Sequence, residues 1–177
     1  MNALTEQIDL LLINGTSTIA RDLKLNLKRV LIESSLSPTE GLLGLLAAAT
    51  TLEHKTLIET AKENLLKHDF TAEHIQEAGE SAALLGMLNT YYRFRHFINN
   101  DDEYRAAGLR MTALAKPSLG KERFEMLAFT VSVLNGCETC VKSHEKSLRD
   151  AAVSVEKIHD LARLASIVKG LKALGIA

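Results

Sequence analysis

From Gly41 to Leu52 the chain reads GLLGLLAAATTL, and this stretch restricts the fold more than any other. Its start is marked by Ser37-Pro38-Thr39-Glu40. This places serine at the N-cap, proline at the first helical position and glutamate where a capping box needs it. The run is too short to cross a bilayer, which takes about 20 apolar residues, so it reads as a buried helix whose apolar surface serves a core or an interface. The absence of Trp, the presence of only two prolines and the abundance of Leu, Ala, Glu and Lys favour helix over sheet throughout.

Helical spacing of apolar residues recurs in almost every segment. Leu4, Ile8, Leu11 and Leu12 mark an N-terminal helix, and Leu23, Leu27, Val30 and Leu31 mark one over Thr18 to Ile32. The helix after Ser37 runs to about Leu52, and another spans Lys55 to Lys67. Thr71 caps a long helix toward Arg95. Residues Asn99 to Gly120, with NNDDE and KPSLGK, read as loop. Helix resumes near Glu122 and stops at Asn135-Gly136, one short helix starts at the cysteines, and a last helix capped by Ser154 covers Val155 to Leu174. The expectation is one all-α domain over residues 1–177, of about eight to nine helices.

A weak internal repeat accompanies this pattern. At an offset of 154 − 71 = 83 residues, Thr71-x-Glu73-x-Ile75 aligns with Ser154-x-Glu156-x-Ile158, Leu65 with Leu148 and Ala82 with Ala165. The same offset sets His54 on Cys137, Leu57 on Cys140 and Ala61 on His144. Two degenerate units, about 37–96 and 121–175, explain the match; so does the chance alignment of any two capped amphipathic helices.

With 21 basic and 22 acidic residues the net charge is −1, which gives no pull toward nucleic acid or an anionic membrane. The N-terminal MNALTEQIDLL lacks the basic-then-apolar layout of an export signal, so a cytoplasmic location is expected. Thiols are kept reduced there, and the only two cysteines, in GCETCVKSHE, then suggest catalysis or metal binding rather than a structural staple.

Gly136 ends one helix and Cys137 opens the next, where free backbone N–H groups and the helix dipole favour a thiolate. Cys140 and His144 stand four apart, on one helix face, so the histidine can take the Cys140 proton or stabilise its thiolate. Glu125 could reach and orient His144 if its helix packs against the cysteine helix; otherwise it reads as a surface glutamate near a helix start. A structural zinc site wants four ligands, and no second cluster accompanies the pair. His54, His68, His74, His96 and His159 are scattered singly and read as surface or satisfied residues. A redox dithiol is the reading the spacing favours, beside a metal site or an incidental turn.

The string 124-FEMLAFTVSVLNGCETCVKSHEKSLR-149 resembles the carboxymuconolactone decarboxylase-like superfamily and, within it, the AhpD-like family. The family pattern is a glutamate, eleven residues, C-x-x-C, three residues and a histidine; Glu125, Cys137, Cys140 and His144 match it in order. ARDLKLNL from Ala20, YYRFRHF from Tyr91 and GLRMTALAKP from Gly108 extend the likeness over nearly the whole chain. The resemblance implies an all-helical fold, a homotrimer, and a thiol oxidoreductase that reduces alkyl hydroperoxides or regenerates the peroxiredoxin AhpC. Electrons would come from dihydrolipoamide on a lipoylated acyltransferase-type carrier, recharged indirectly by NADH, with no bound cofactor or metal. By the same resemblance Cys140 is the peroxidatic sulfur that becomes a sulfenic acid, and Cys137 is the proton donor and resolving thiol of a redox-active disulfide. His144 and Glu125 form the proton relay. The helix terminus alone favours Cys137 as the more acidic thiol, whereas the His144 spacing and the family pattern favour Cys140, which we adopt. Well-known members carry histidine immediately before the second cysteine; this chain has Thr139, which cannot titrate near neutral pH. The alternatives are a decarboxylase-like lyase and a non-enzymatic redox or metal-sensing module.

Overall fold

Short polar side chains set where the helices begin. The computed structural model describes residues 3–11, 15–99 and 102–175, and its helices are α1 (Ala3–Leu11), α2 (Thr18–Ile32), α3 (Pro38–Thr51), α4 (Lys55–Leu66), α5 (Ala72–Ile98), α6 (Lys121–Asn135), α7 (Glu138–Asp150) and α8 (Val155–Ala173). Ser17, Ser37, Thr71 and Ser154 are N-caps whose side chains accept backbone N–H groups from the first turns of α2, α3, α5 and α8. Glu40 returns the favour by accepting from the Ser37 N–H at 2.6 Å, closing the anticipated capping box. The fold is all-α, with no strand among the described residues. The expected bounds hold to within a residue or so, except that α5 continues past Arg95 to a left-handed Asn99. Within the anticipated loop only Thr112–Leu114 coils, as a single 3₁₀ turn. Leu12 and residues 100–101 lie outside the described residues.

Helix α3 goes to the core. Every residue from Gly41 to Ala49 is buried, and α3 packs against α2, α4, α5, α6 and α8. A helix apolar on all sides has to be enclosed in this way, since no face of it gains from water. Gly44 is what lets α8 approach: a Cβ there would lie 3.0 Å from Leu164 Cδ2 and 3.4 Å from Leu161 Cδ2. A second, smaller cluster of Leu36, Met126, Phe129, Leu148, Val153, Ile158 and Leu161 ties the 33–37 turn to α6, α7 and α8. In α7, by contrast, only Cys140 and Leu148 are buried, so this helix lies on the body rather than in it.

Three consecutive helix starts recur at one offset, since 121 − 38 = 138 − 55 = 155 − 72 = 83. The left-handed residues follow the same spacing: Glu53 (φ 54°) with Gly136 (φ 63°), and Asp69 (φ 60°) with Ala152 (φ 61°). We propose that α3–α5 and α6–α8 are copies of one three-helix unit within a single domain, with His54 in the first standing where Cys137 stands in the second.

The turn between α2 and α3 is fastened to α8 by Asp160. Its Oδ2 accepts from the Ser35 N–H at 2.9 Å and the Ser35 hydroxyl at 2.6 Å, and its Oδ1 accepts from Arg163 Nη1 at 2.8 Å. Burial penalises the Asp160 charge, but the Ser35 bonds and Arg163 outweigh it and hold the carboxyl below the usual range. A depressed folded-state pKa contributes stability above the unfolded value, and this contribution disappears as the pH falls through the folded one. Asp160→Asn should therefore lower stability by about 2 kcal/mol at neutral pH, and the difference from wild type should shrink once the pH drops below about 4. Urea unfolding at both pH values measures this; a difference that does not change with pH contradicts the assignment.

Candidate active site

The site is built on the junction of α6 and α7. Gly136 adopts φ 63°, ψ 35°, a left-handed cap that glycine takes without a Cβ penalty. The Gly136 N–H then donates to Val133 O and the Cys137 N–H to Ser132 O, both at 3.2 Å, which ends α6 and reverses the chain within two residues. Cys137 is the N-cap of α7 in an extended conformation, and its side chain makes no capping bond. Its sulfur instead pairs with that of Cys140 in a disulfide, with the Cα atoms 5.2 Å apart. Cys137 is wholly buried and Cys140 is 7% exposed. Beside them the Thr139 hydroxyl lies 3.6 Å from the Cys137 sulfur.

One helical turn beyond Cys140, His144 Nδ1 meets Glu125 Oε2 at 2.8 Å, with both side chains about four-fifths buried (20% and 22% exposed). Glu125 lies eleven residues before Gly136 and His144 eight after it, roughly 16 Å and 12 Å along their helices. Their contact therefore requires α7 to fold back along α6. Glu125 is on the inner side of α6 and is not a surface glutamate, the reading that its position near a helix start alone would favour. A carboxylate only accepts, so Nδ1–H donates to Glu125 and Nε2 is left as the nitrogen that can take or give a proton. The structure thus brings together Cys137, Cys140, His144 and Glu125.

Several neighbours of the site escaped the sequence reading. Asn89 of α5, 1% exposed, donates through Nδ2 to Ser132 Oγ at 3.0 Å and accepts from Asn135 Nδ2 at 3.0 Å. One turn further, Arg93 Nη1 donates to the Asn135 carbonyl at 2.5 Å, where a cation also complements the C-terminal end of α6. The two residues grip the last turn of α6, from which the chain passes into Cys137. The available signal was a polar residue within the apolar face formed by Leu85 and Leu88. His96, on the same helix, stands 3.7 Å from Glu138 at the start of α7. His54, expected as a surface or satisfied residue, is not at the surface, being 4% exposed at the start of α4. Among the described residues no group of three His, Cys, Asp or Glu side chains is placed to hold a metal ion. A groove of about 820 Å³ lies apart from the dithiol, between α2 and α8, and is lined by Arg29, Glu33, Asp160 and Arg163 among others.

The model of the carboxymuconolactone decarboxylase family matches residues 104–177, which include the whole α6–α7 site. The chain is also similar along most of its length to proteins described as alkyl hydroperoxide reductase AhpD. That of Anaeromyxobacter dehalogenans strain 2CP-C is 37% identical over 150 residues, 84% of this chain and 80% of the relative. That of Frankia alni is 40% identical over 150 residues with the same coverage, and that of Mycolicibacterium smegmatis 37% over 153 residues, 86% and 85% of the two chains.

Removing the Asn89 side chain would leave the Ser132 hydroxyl and the Asn135 amide without this buried partner. Asn89→Ala is expected to cost about 2 kcal/mol in chemical unfolding of the oxidised protein, and a cost below about 0.5 kcal/mol would show that α5 does not grip the junction.

Proposed function

The chain belongs to the AhpD family of the carboxymuconolactone decarboxylase-like superfamily, and on that premise we propose that it is an antioxidant alkyl hydroperoxide reductase working through the Cys137–Cys140 dithiol. The observation that carries the reading is the 2.8 Å contact between His144 and Glu125, with His144 one turn from Cys140. In the reduced protein Nε2 of His144 takes the Cys140 proton while Glu125 orients the ring and stabilises the imidazolium. The Cys140 thiolate attacks one peroxide oxygen, the O–O bond breaks, and the alkoxide leaves as alcohol with a proton supplied from Cys137 or the relay. The resulting Cys140 sulfenic acid condenses with Cys137, releasing water and forming the disulfide. A dithiol donor then restores the thiols by exchange.

Dihydrolipoamide on a lipoylated carrier is the proposed donor, recharged through NADH, and AhpC a second proposed acceptor; both rest on the family resemblance. The same resemblance implies a homotrimer. Phe94, Phe97 and Ile98, with Tyr104 against Phe94, leave an apolar, aromatic surface around the end of α5, Phe97 being 78% exposed, which supports burial against further copies. No helix among the described residues is long and apolar enough to cross a membrane, and a cytoplasmic location is part of the proposal. A lyase reading leaves the paired cysteines and their histidine without a task.

A lipoamide-coupled peroxidase assay tests the reading. Wild type should turn over, Cys140→Ser should be inactive, and His144→Ala should fall by about 10²-fold near neutral pH. The His144→Ala rate should recover as the pH rises toward the ordinary thiol pKa of about 8.5. A wild-type rate no greater than that of Cys140→Ser would sink the proposal, and an unchanged pH–rate profile in His144→Ala would remove the relay from it.

A further inference from the structure

The contact between Thr139 and Cys137 has a direction that the oxidised state reveals. A disulfide sulfur carries no hydrogen, so across the 3.6 Å separation the Thr139 hydroxyl is the donor and Cys137 Sγ the acceptor. Cys137 is wholly buried and its side chain serves as no helix cap, so this hydroxyl is a donor aimed at a sulfur that bulk water does not reach. We propose that Thr139 holds the Cys137 thiolate, and that both half-reactions of the dithiol pass through that anion. The inference rests on the dithiol reading given above.

The chemistry asks for such a group twice. When Cys137 gives its proton to the departing alkoxide it becomes a thiolate. That thiolate next attacks the Cys140 sulfenic acid, forming the S–S bond and expelling hydroxide, which takes the proton that His144 accepted from Cys140 and leaves as water. In the reductive direction a donor thiolate attacks Cys140, the more exposed of the two sulfurs. The S–S bond breaks and its electron pair goes to Cys137, which departs as a thiolate. The second donor thiol, once deprotonated, then attacks the donor's own sulfur in the mixed disulfide. This releases the donor as a cyclic disulfide and Cys140 as a thiolate, and the two protons lost by the donor restore the two protein thiols. A hydrogen bond to a thiolate is stronger than one to a neutral sulfur, so Thr139 favours the asymmetric course of exchange and, at a pH where the Cys137 thiol is ionised, the reduced state. Cys137 thereby acts as resolving and leaving thiol while Cys140 keeps its base, His144. The acidity that a helix start confers on Cys137 and the peroxidatic role of Cys140 are then compatible.

Thr139 is exposed and its replacement by valine keeps the branched shape without the hydroxyl. The test is the equilibrium of the full chain with dithiothreitol at a fixed pH above the ordinary thiol value of about 8.5, where Cys137 is ionised in the reduced protein, for wild type, Thr139→Val and Thr139→Ser. Thr139→Val should lower the equilibrium constant for reduction about tenfold, which is a shift of about 30 mV for a two-electron couple, while Thr139→Ser stays within about twofold of wild type. In a Cys140→Ser background, the ultraviolet absorbance of the Cys137 thiolate should appear at higher pH when Thr139 becomes valine and return toward wild type with serine. A Thr139→Val constant within twofold of wild type, or a Thr139→Ser shift as large as that of valine, overturns the proposal. Because the equilibrium is read without peroxide or a lipoyl carrier, absence of peroxidase turnover would defeat the functional reading and leave this measurement decisive for Thr139.

Discussion

The left-handed backbone at Gly136 lets α7 begin with only two residues between it and the end of α6, and run back along it. Without that reversal Glu125 and His144 would be far apart, because each lies two or three helical turns from the junction. With it, a local pair, Cys140 and His144, gains a partner from another element at 2.8 Å. The turn is stiffened from both sides. Backbone bonds to Ser132 and Val133 close it, and Asn89 and Arg93 of α5 hold the same last turn of α6. The geometry of the candidate site therefore depends on the packing of α5 against α6 as much as on Cys137, Cys140, His144 and Glu125.

That packing is supported by the enclosed helix α3, which touches both α5 and α6. Most of the apolar area sits around α3, whereas α7 contributes only Cys140 and Leu148 to the interior. The division suits a thiol helix. The body holds the larger buried cluster, and α7, anchored by Leu148 in the smaller one, carries the side chains to which the proposed chemistry is assigned. Partial burial of Glu125 and His144 keeps their pair from being screened by water, as an exposed ion pair would be.

Much of the architecture was legible because its determinants are local. Ser37, Thr71 and Ser154 announce helix starts through bonds to residues three positions on, and Gly136 announces a stop through its own backbone freedom. The Cys140–His144 step was legible for the same reason, since four residues is one helical turn. The meeting of Glu125 with His144 was not, because periodicity does not say which face of α6 receives α7; the family pattern pointed to it. Asn89 shows the other limit. Its partners are 43 and 46 residues away, so only the anomaly of a polar side chain on an apolar face hinted at a role. The extension of α5 to Ile98 likewise depends on the left-handed Asn99, a choice that the residue type permits and does not impose.

Cys140, activated by His144 and Glu125, is the sulfur proposed to meet peroxide, and trapping its sulfenic acid decides the matter. Cys137→Ser and Cys140→Ser are each reduced, exposed to one equivalent of an alkyl hydroperoxide in the presence of dimedone, and mapped by mass spectrometry. A dimedone adduct should form on Cys140 in Cys137→Ser and be lost when His144 is replaced, with little or none on Cys137 in Cys140→Ser. An adduct that forms as fast on Cys137 as on Cys140 would contradict the assignment.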